Sequence, residues 1–95
     1  MELSTSSNVV TIKGNIKNLS DHQAIKEAID ALATTNKNIK IKITDSISII
    51  SSVIGYLNKL VLKDGVDISI DVGNAQLKEL FDDLNLTTLF KVKKV

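Results

Sequence analysis

Two segments of strict alternation constrain the fold of this chain more than any other feature of its sequence. Residues 39–43 alternate isoleucine with lysine, and residues 66–72 place an apolar side chain at every second position. Such alternation is typical of strands that bury one face. Segments with apolar residues at helical spacing lie before, between and after them, so helices and strands alternate along the chain. This order predicts right-handed crossovers and a mostly parallel sheet.

Three helices are predicted. The first covers about residues 21–34, with Ser20 as its N-cap and Gln23 completing a capping box. The second runs from Ser52 to about residue 63, where an Asp-Gly pair ends it, and the third follows Gly73-Asn74. Their apolar faces are expected to contain Ala24, Ile25, Ala28, Ile29, Leu32, Ile54, Leu57, Leu60, Val61, Leu77, Leu80, Phe81 and Leu84.

The remaining segments predict shorter elements at both ends of the chain. Residues 9–14 form a β-branched strand ended by glycine, and residues 3–8 predict a short antiparallel edge strand joined to it by a hairpin. Residues 89–92 predict a last short strand. The connection before the second helix, residues 46–52, is expected to turn Ile47, Ile49 and Ile50 inward. The sequence thus predicts one α/β domain over residues 1–95, with four to five strands and three or more helices.

Composition narrows the classes of function. Twelve lysines and 11 acidic residues give a net charge of +1, and only three aromatic residues are present, so nucleic-acid binding is not expected. The lack of cysteine removes disulfides and thiolate chemistry and favours the cytoplasm. The first residues do not resemble a signal peptide, and no apolar run approaches the roughly 20 residues of a membrane span, so no membrane insertion is expected.

Signatures of catalysis are largely missing. The single histidine, His22, has no cysteine or second histidine with which to form a metal site and is expected on the solvated surface. The four glycines are isolated, so no phosphate-binding loop is predicted. A small hydrolase using Ser52 and His22 is the remaining enzymatic alternative. We expect no enzyme activity, no metal and no cofactor.

The stretch SISIISSVIGYL, residues 46–57, contains the most informative local feature. Ser51 and Ser52 stand where the strand-like pattern changes to the helical one. A serine there is explained by capping alone, worth about 1 kcal/mol. The free N–H groups and the positive end of the helix dipole also suit a phosphate, so a phosphorylated hydroxyl is the alternative.

From Val9 onward the chain resembles the STAS domain of bacterial anti-sigma factor antagonists. The resemblance rests on the order of four segments rather than on any one of them. These are TIKGNI at residues 11–16, ISIISS at residues 47–52, DGV at residues 64–66, and LKELF to LTTLFKV within residues 77–92. The sequence Ser-Val-Ile-Gly at residues 52–55 is especially similar to stressosome scaffold members of that family.

The resemblance implies a regulatory protein-binding module. It makes Ser52 the phosphoacceptor, with Ser51 as the second choice, and an anti-sigma factor or serine protein kinase the partner. The implied partner-binding residues are Lys17, Ser51, Ser52, Val53 and Gly55. Phosphate at Ser52 is expected to break docking by its charge and bulk.

Two departures from the family pattern keep an alternative open. Ser51 and Lys17 each stand where the family has an aspartate, which predicts a different electrostatic match with the partner. The alternative is a non-phosphorylated STAS subunit of a larger assembly, such as a lipid-transport ABC complex or a stressosome-like particle.

Overall fold

A five-stranded sheet with three helices on one face makes up the structure, a computed structural model that describes residues 1–95. The elements, in chain order, are β1 Glu2–Ser6, β2 Val9–Lys13, α1 Leu19–Ala33, β3 Asn38–Ile43, α2 Ser51–Leu62, β4 Asp67–Val72, α3 Ala75–Asp83 and β5 Val92–Lys94. The strands lie in the sheet in chain order. β1 is antiparallel to β2, and the other three pairings are parallel. The predicted fold class is confirmed, including the antiparallel edge strand.

The alternation in the sequence builds the core directly. Ile41 lies between Val10 and Ile70 in the sheet register, so the apolar positions of three strands form rows on one face. The helices cover this face with their own apolar side chains. The fully or nearly buried residues contributed by the helices are Ile25, Ile29, Val53, Tyr56, Leu57, Leu60, Leu77 and Phe81. One continuous apolar core therefore holds sheet and helices together.

The other face of the sheet is polar and open. Strands that neighbour one another in chain order and are joined by right-handed crossovers place all their helices on the same side. The opposite side carries Lys40, Lys42, Ser69 and Asp71, all exposed or half-buried, and the Lys40 ammonium lies 3.3 Å from the Asp71 carboxylate. This one-sided burial explains why the central strands alternate instead of being apolar throughout.

The first helix begins earlier than predicted. Its N-cap is Asn18, whose Oδ1 accepts from the Asp21 N–H at 3.0 Å, while the Asp21 carboxylate accepts from the Lys17 N–H at 2.8 Å. The predicted capping box of Ser20 and Gln23 is therefore wrong. Asn18 and Asp21 have the same three-residue spacing two residues earlier, although Asp21 accepts from the residue before the cap and not from the cap itself. Asparagine caps at least as well as serine.

Two predicted core positions are exposed. Ile47 and Leu84 leave about half of their surface in solvent, at 49% and 45% exposure. Ile47 lies in the loop after β3, where Ser46 instead occupies the buried position and its hydroxyl donates to the Gly14 carbonyl. Leu84 lies just past the end of α3, so the helical spacing no longer determines which way its side chain points. Ile49 is buried and Ile50 half-buried, as predicted.

None of the three helices combines the length and the apolar composition that a bilayer crossing requires.

Candidate functional site

The loops that follow β2 and β3 are tied together at the carboxyl end of the parallel strands. The Gly14 N–H donates to the Asp45 carboxylate at 2.7 Å. The Ile47 N–H donates to Asn15 Oδ1 at 3.2 Å, and Ser46 bonds Gly14 as described above. Ligands and partners of α/β proteins usually bind at this end of the sheet. Residues 14–18 and 44–52, which include these loops and the start of α2, are called the corner below.

The end of β4 comes very close to the corner. The Gly73 N–H donates to the Ile43 carbonyl at 2.9 Å, which brings the two chain segments together. A Cβ at Gly73 would lie 2.1 Å from the Thr44 carbonyl oxygen, a distance that no side chain tolerates. Glycine is therefore required here by the approach of two backbones, and the corner rests on a rigid support.

Helix α2 begins at the corner without a side-chain cap. Its N-cap is Ile50, whose carbonyl accepts from the N–H groups of Val53 and Ile54 at 3.1 and 3.3 Å. Ser51 and Ser52 occupy the first two helical positions, both are exposed, and no acidic residue lies in the first turn. The interpretation of these serines as caps is wrong, because the helix starts one residue too early for either to serve. Both hydroxyls remain open to solvent.

The other predicted site residues divide between surface and core. Lys17 is exposed at the corner, and none of the five ion pairs includes its ammonium group. Gly55 is exposed on α2, with open space around it. Val53 is 2% exposed and belongs to the core, so its side chain does not lie on the surface with the others, and its predicted contact with a partner stays a prediction. The fold thus brings Lys17, Ser51 and Ser52 to one end of the molecule, with Gly55 one turn along α2.

Exposed apolar side chains gather at the same end, and the sequence did not predict them. Six large apolar side chains are exposed, of which Ile47, at 49%, lies within the corner and Leu19, at 74%, directly follows it in sequence. Met1 and Val95 also lie at this end, because β1 begins there and β5 finishes there. The remaining two, Leu62 and Leu84, lie at the opposite ends of their helices. Periodicity could not find these residues because they lie in loops and at element ends.

A polar cluster on the side of α2 fixes it to α1. The Tyr56 hydroxyl donates to the Asp30 carboxylate and contacts the Lys26 carbonyl at 3.4 Å. Burial and the hydrogen bond with Asp30 raise the pKa of Tyr56. Burial acts to raise the pKa of Asp30 as well, but the hydrogen bonds from Lys26 and Tyr56 outweigh it and the pKa is lowered. Helix α2 is therefore anchored along its side.

His22 joins this cluster and is not the solvated residue expected from the sequence. It is half-buried, with its ring edge-on to the Tyr56 ring at 6.2 Å between centroids. Its Nδ1 is buried without a hydrogen-bond partner. The sequence alone could not place His22 here, because the contact depends on how α1 packs against α2.

Comparison with protein-family models, with curated proteins and with solved structures finds no match for this chain. The resemblance to STAS domains therefore rests on the order of sequence segments given above. The fold and the placement of the corner residues are properties of the structure. Phosphorylation, docking and the partner stay predictions.

Proposed function

We propose that this protein is a STAS-like regulatory binding module that docks on an anti-sigma factor or serine protein kinase through the corner, with Ser52 as its phosphorylation switch. The observation that carries the proposal is the state of Ser52. Its side chain is exposed at the second position of a helix whose N-terminus has neither a cap nor an acidic residue. A hydroxyl in that setting is accessible to a kinase and is not needed for folding.

Phosphate at Ser52 would be well accommodated by the helix itself. The N-terminal turn carries a positive partial charge, and a phosphoserine adds about −1.5 to −2 charges there. The switch would therefore act on the partner and leave the fold intact. A hydrated dianion next to the exposed Ile47 would oppose the burial of that apolar side chain in an interface.

The charges of the corner indicate what a partner must offer. Asp45, within the corner, and Asp21, in the first turn of α1, each accept a backbone N–H group. The exposed Lys17 makes no ion pair, and the apolar Leu19 and Ile47 are exposed at the same end of the sheet. The partner is expected to present an apolar surface with an acidic side chain placed to meet Lys17.

Phosphorylation and binding with the cognate serine kinase test this function. With ATP, intact mass spectrometry should show one added phosphate, absent in Ser52→Ala and present in Ser51→Ala, the matched control one residue away. Ser52→Asp should weaken binding of the partner, whereas Ser51→Ala should bind as the wild type does. A kinase that binds the chain but modifies neither serine would refute the phosphorylation switch, while the docking part of the proposal would stand.

An assembly subunit is the second candidate, favoured by the apolar side chains that gather at the carboxyl end. A constitutive interface in a transporter or stressosome-like particle would cover Leu19 and Ile47 permanently. Ser52→Asp should then leave co-purification of the assembly unchanged, while Leu19→Asp should abolish it. The first proposal requires Ser52→Asp itself to weaken the complex.

A further inference from the structure

The two edges of the sheet are protected to very different degrees. β5 is only three residues long. Two of its residues, at positions 93 and 94, are lysines, and a third lysine at position 91 directly precedes it. Short length and lysines are the usual means by which proteins prevent pairing at a sheet edge. β1, at the opposite edge, is five residues long and carries a single charge, at Glu2, with no proline, glycine or lysine. It is the edge at which another strand can add.

Hydrogen bonds within the sheet show which backbone groups of β1 are free. The carbonyls of Asn8 and Ile12 accept from the N–H groups of β3 and the residue after it. The residues of β2 that lie between those bonded to β3 therefore direct their backbone N–H and C=O groups toward β1. Their partners in the register are Glu2, Ser4 and Ser6. The N–H and C=O groups of Leu3 and Thr5 point away from β2. Two donors and two acceptors thus face solvent along this edge.

We propose that two copies of this chain pair through β1, antiparallel about a two-fold axis at Ser4. In this register Leu3 lies opposite Thr5 of the second copy, and each pair exchanges two backbone hydrogen bonds. Ser4 then lies opposite Ser4 of the second copy in a pair without hydrogen bonds. This matches the alternation that an antiparallel ladder requires, and it uses every free group of Leu3 and Thr5.

The side chains of β1 are compatible with the same register. Leu3 and Thr5 lie on the helix-covered face, where Leu3 is half-buried and Thr5 exposed. Pairing would place the Thr5 methyl group of one copy beside Leu3 of the other and remove apolar surface from water. Each Glu2 would face Ser6 of the second copy, so the two carboxylates lie at opposite ends of the paired strands. The register therefore keeps the like charges of the two strands apart.

The dimer would leave the corner accessible. A two-fold axis perpendicular to the sheet makes one ten-stranded sheet, with all helices on the same face. The two β2 strands run in opposite directions in that sheet, so the two corners point to opposite ends of the dimer. Self-pairing through β1 is independent of the docking function proposed above and would present two docking surfaces at once.

Charge substitution at Ser4 tests the pairing. Ser4→Lys places two lysines opposite each other at the two-fold axis, and Ser4→Glu places two carboxylates there, so each variant alone should dimerise at least tenfold more weakly than the wild type. An equimolar mixture of Ser4→Lys and Ser4→Glu should dimerise, because opposite charges then meet. Ser48→Lys, a substitution of another exposed serine in the corner, is the matched control and should dimerise as the wild type does.

Sedimentation velocity measures these outcomes over total protein concentrations from about 10 μM to about 1 mM, a range that detects dissociation constants of that order. The expected result is a concentration-dependent wild-type dimer that each Ser4 variant weakens at least tenfold and that the mixture restores. Circular dichroism establishes that each variant is folded. A wild-type monomer at the highest concentration, or a dimer that Ser4→Lys does not weaken, would overturn the proposal.

Discussion

The three helices of this protein begin in two different ways. α1 and α3 start with asparagine caps, Asn18 and Asn74, whose side chains accept N–H groups at 3.0 and 2.8 Å. α2 starts at Ile50 with no side-chain cap, although two serines follow immediately. α1 and α3 are therefore stabilised at their N-terminal ends. α2 is stabilised along its side, where Tyr56 bonds Asp30 of α1.

The two kinds of helix start differ in whether their polar side chains stabilise the helix or are left available to a partner. A cap uses the oxygen atom that provides it, so the Oδ1 atoms of both asparagines are engaged within the fold. The serine hydroxyls of α2 make no such contribution, and the helix does not depend on them. All three helices start at the carboxyl end of the parallel strands, and α2 is the one whose start there has no side-chain cap. The helix whose start is least stabilised is thus the one whose start is best suited to modification.

The largest expected effect comes from the glycine that supports the α3 start. Gly73→Ala should lower the free energy of unfolding by about 3 kcal/mol, because its Cβ would overlap the Thr44 carbonyl. Gly55→Ala is the matched control: nothing lies within 4 Å of the added Cβ. Alanine in a helix should raise stability by about 0.5–1 kcal/mol. Urea unfolding measures both, and equal effects would contradict the close approach at Gly73.

Removing the asparagine caps should lower stability more than removing the serine hydroxyls at the start of α2. Asn18→Ala and Asn74→Ala should each cost about 1 kcal/mol, since each leaves a helix N–H without its side-chain acceptor. Ser51→Ala and Ser52→Ala should each stay within about 0.5 kcal/mol of the wild type. Chemical denaturation of the four variants gives the values. A loss at Ser52 as large as that at Asn18 would mean that Ser52 contributes to the helix start after all.

The fold was predictable because its signals are local and repeated. Alternation at residues 39–43 and 66–72 determines both the strands and the face that each buries. Asp64-Gly65 and Gly73-Asn74 mark helix ends correctly, and Gly65 has the positive φ of +68° that favours glycine. These features involve neighbours in sequence, so they can be recognised without knowing the fold.

The site was less predictable because it depends on contacts between distant segments. Ser46 is buried where Gly14, 32 residues away in sequence, offers its hydroxyl a carbonyl acceptor. The start of α2 at Ser51 is set by Ile50 reaching the core, which moves both serines inside the helix and removes their capping role. Val53, at the third position of the helix, is buried in the core. A one-residue change in the helix start thus removes the capping role of both serines.

The hydrogen bond from Tyr56 to Asp30, which anchors the side of α2 to α1, predicts that stability falls at alkaline pH. The pKa of Tyr56 is raised by burial and by Asp30, so the unfolded chain loses this proton first as the pH rises. Its contribution is therefore complete below the ordinary tyrosine pKa of about 10 and is lost at higher pH. Tyr56→Phe should cost about 1 kcal/mol at neutral pH and should not show this additional alkaline loss.

Tyr56 is the only tyrosine, and the chain has no tryptophan, so the ultraviolet absorbance of tyrosinate reports its titration directly. In the folded protein this absorbance should not rise until the protein unfolds at alkaline pH. Titration near pH 10 in the folded state, monitored together with circular dichroism, would show that the hydroxyl is not held by Asp30.

The smallest expected change in stability discriminates most sharply between the two kinds of helix start. Ser52→Asp puts a negative charge in the uncapped first turn of α2, so the free energy of unfolding should rise by about 0.5 kcal/mol at low salt. Ser52→Lys, the control of opposite charge, should lower it by a similar amount. Under the proposed function Ser52→Asp also weakens binding of the partner. Greater stability combined with weaker binding is the signature of a residue that belongs to the interface and not to the fold, whereas loss of both together would make Ser52 structural.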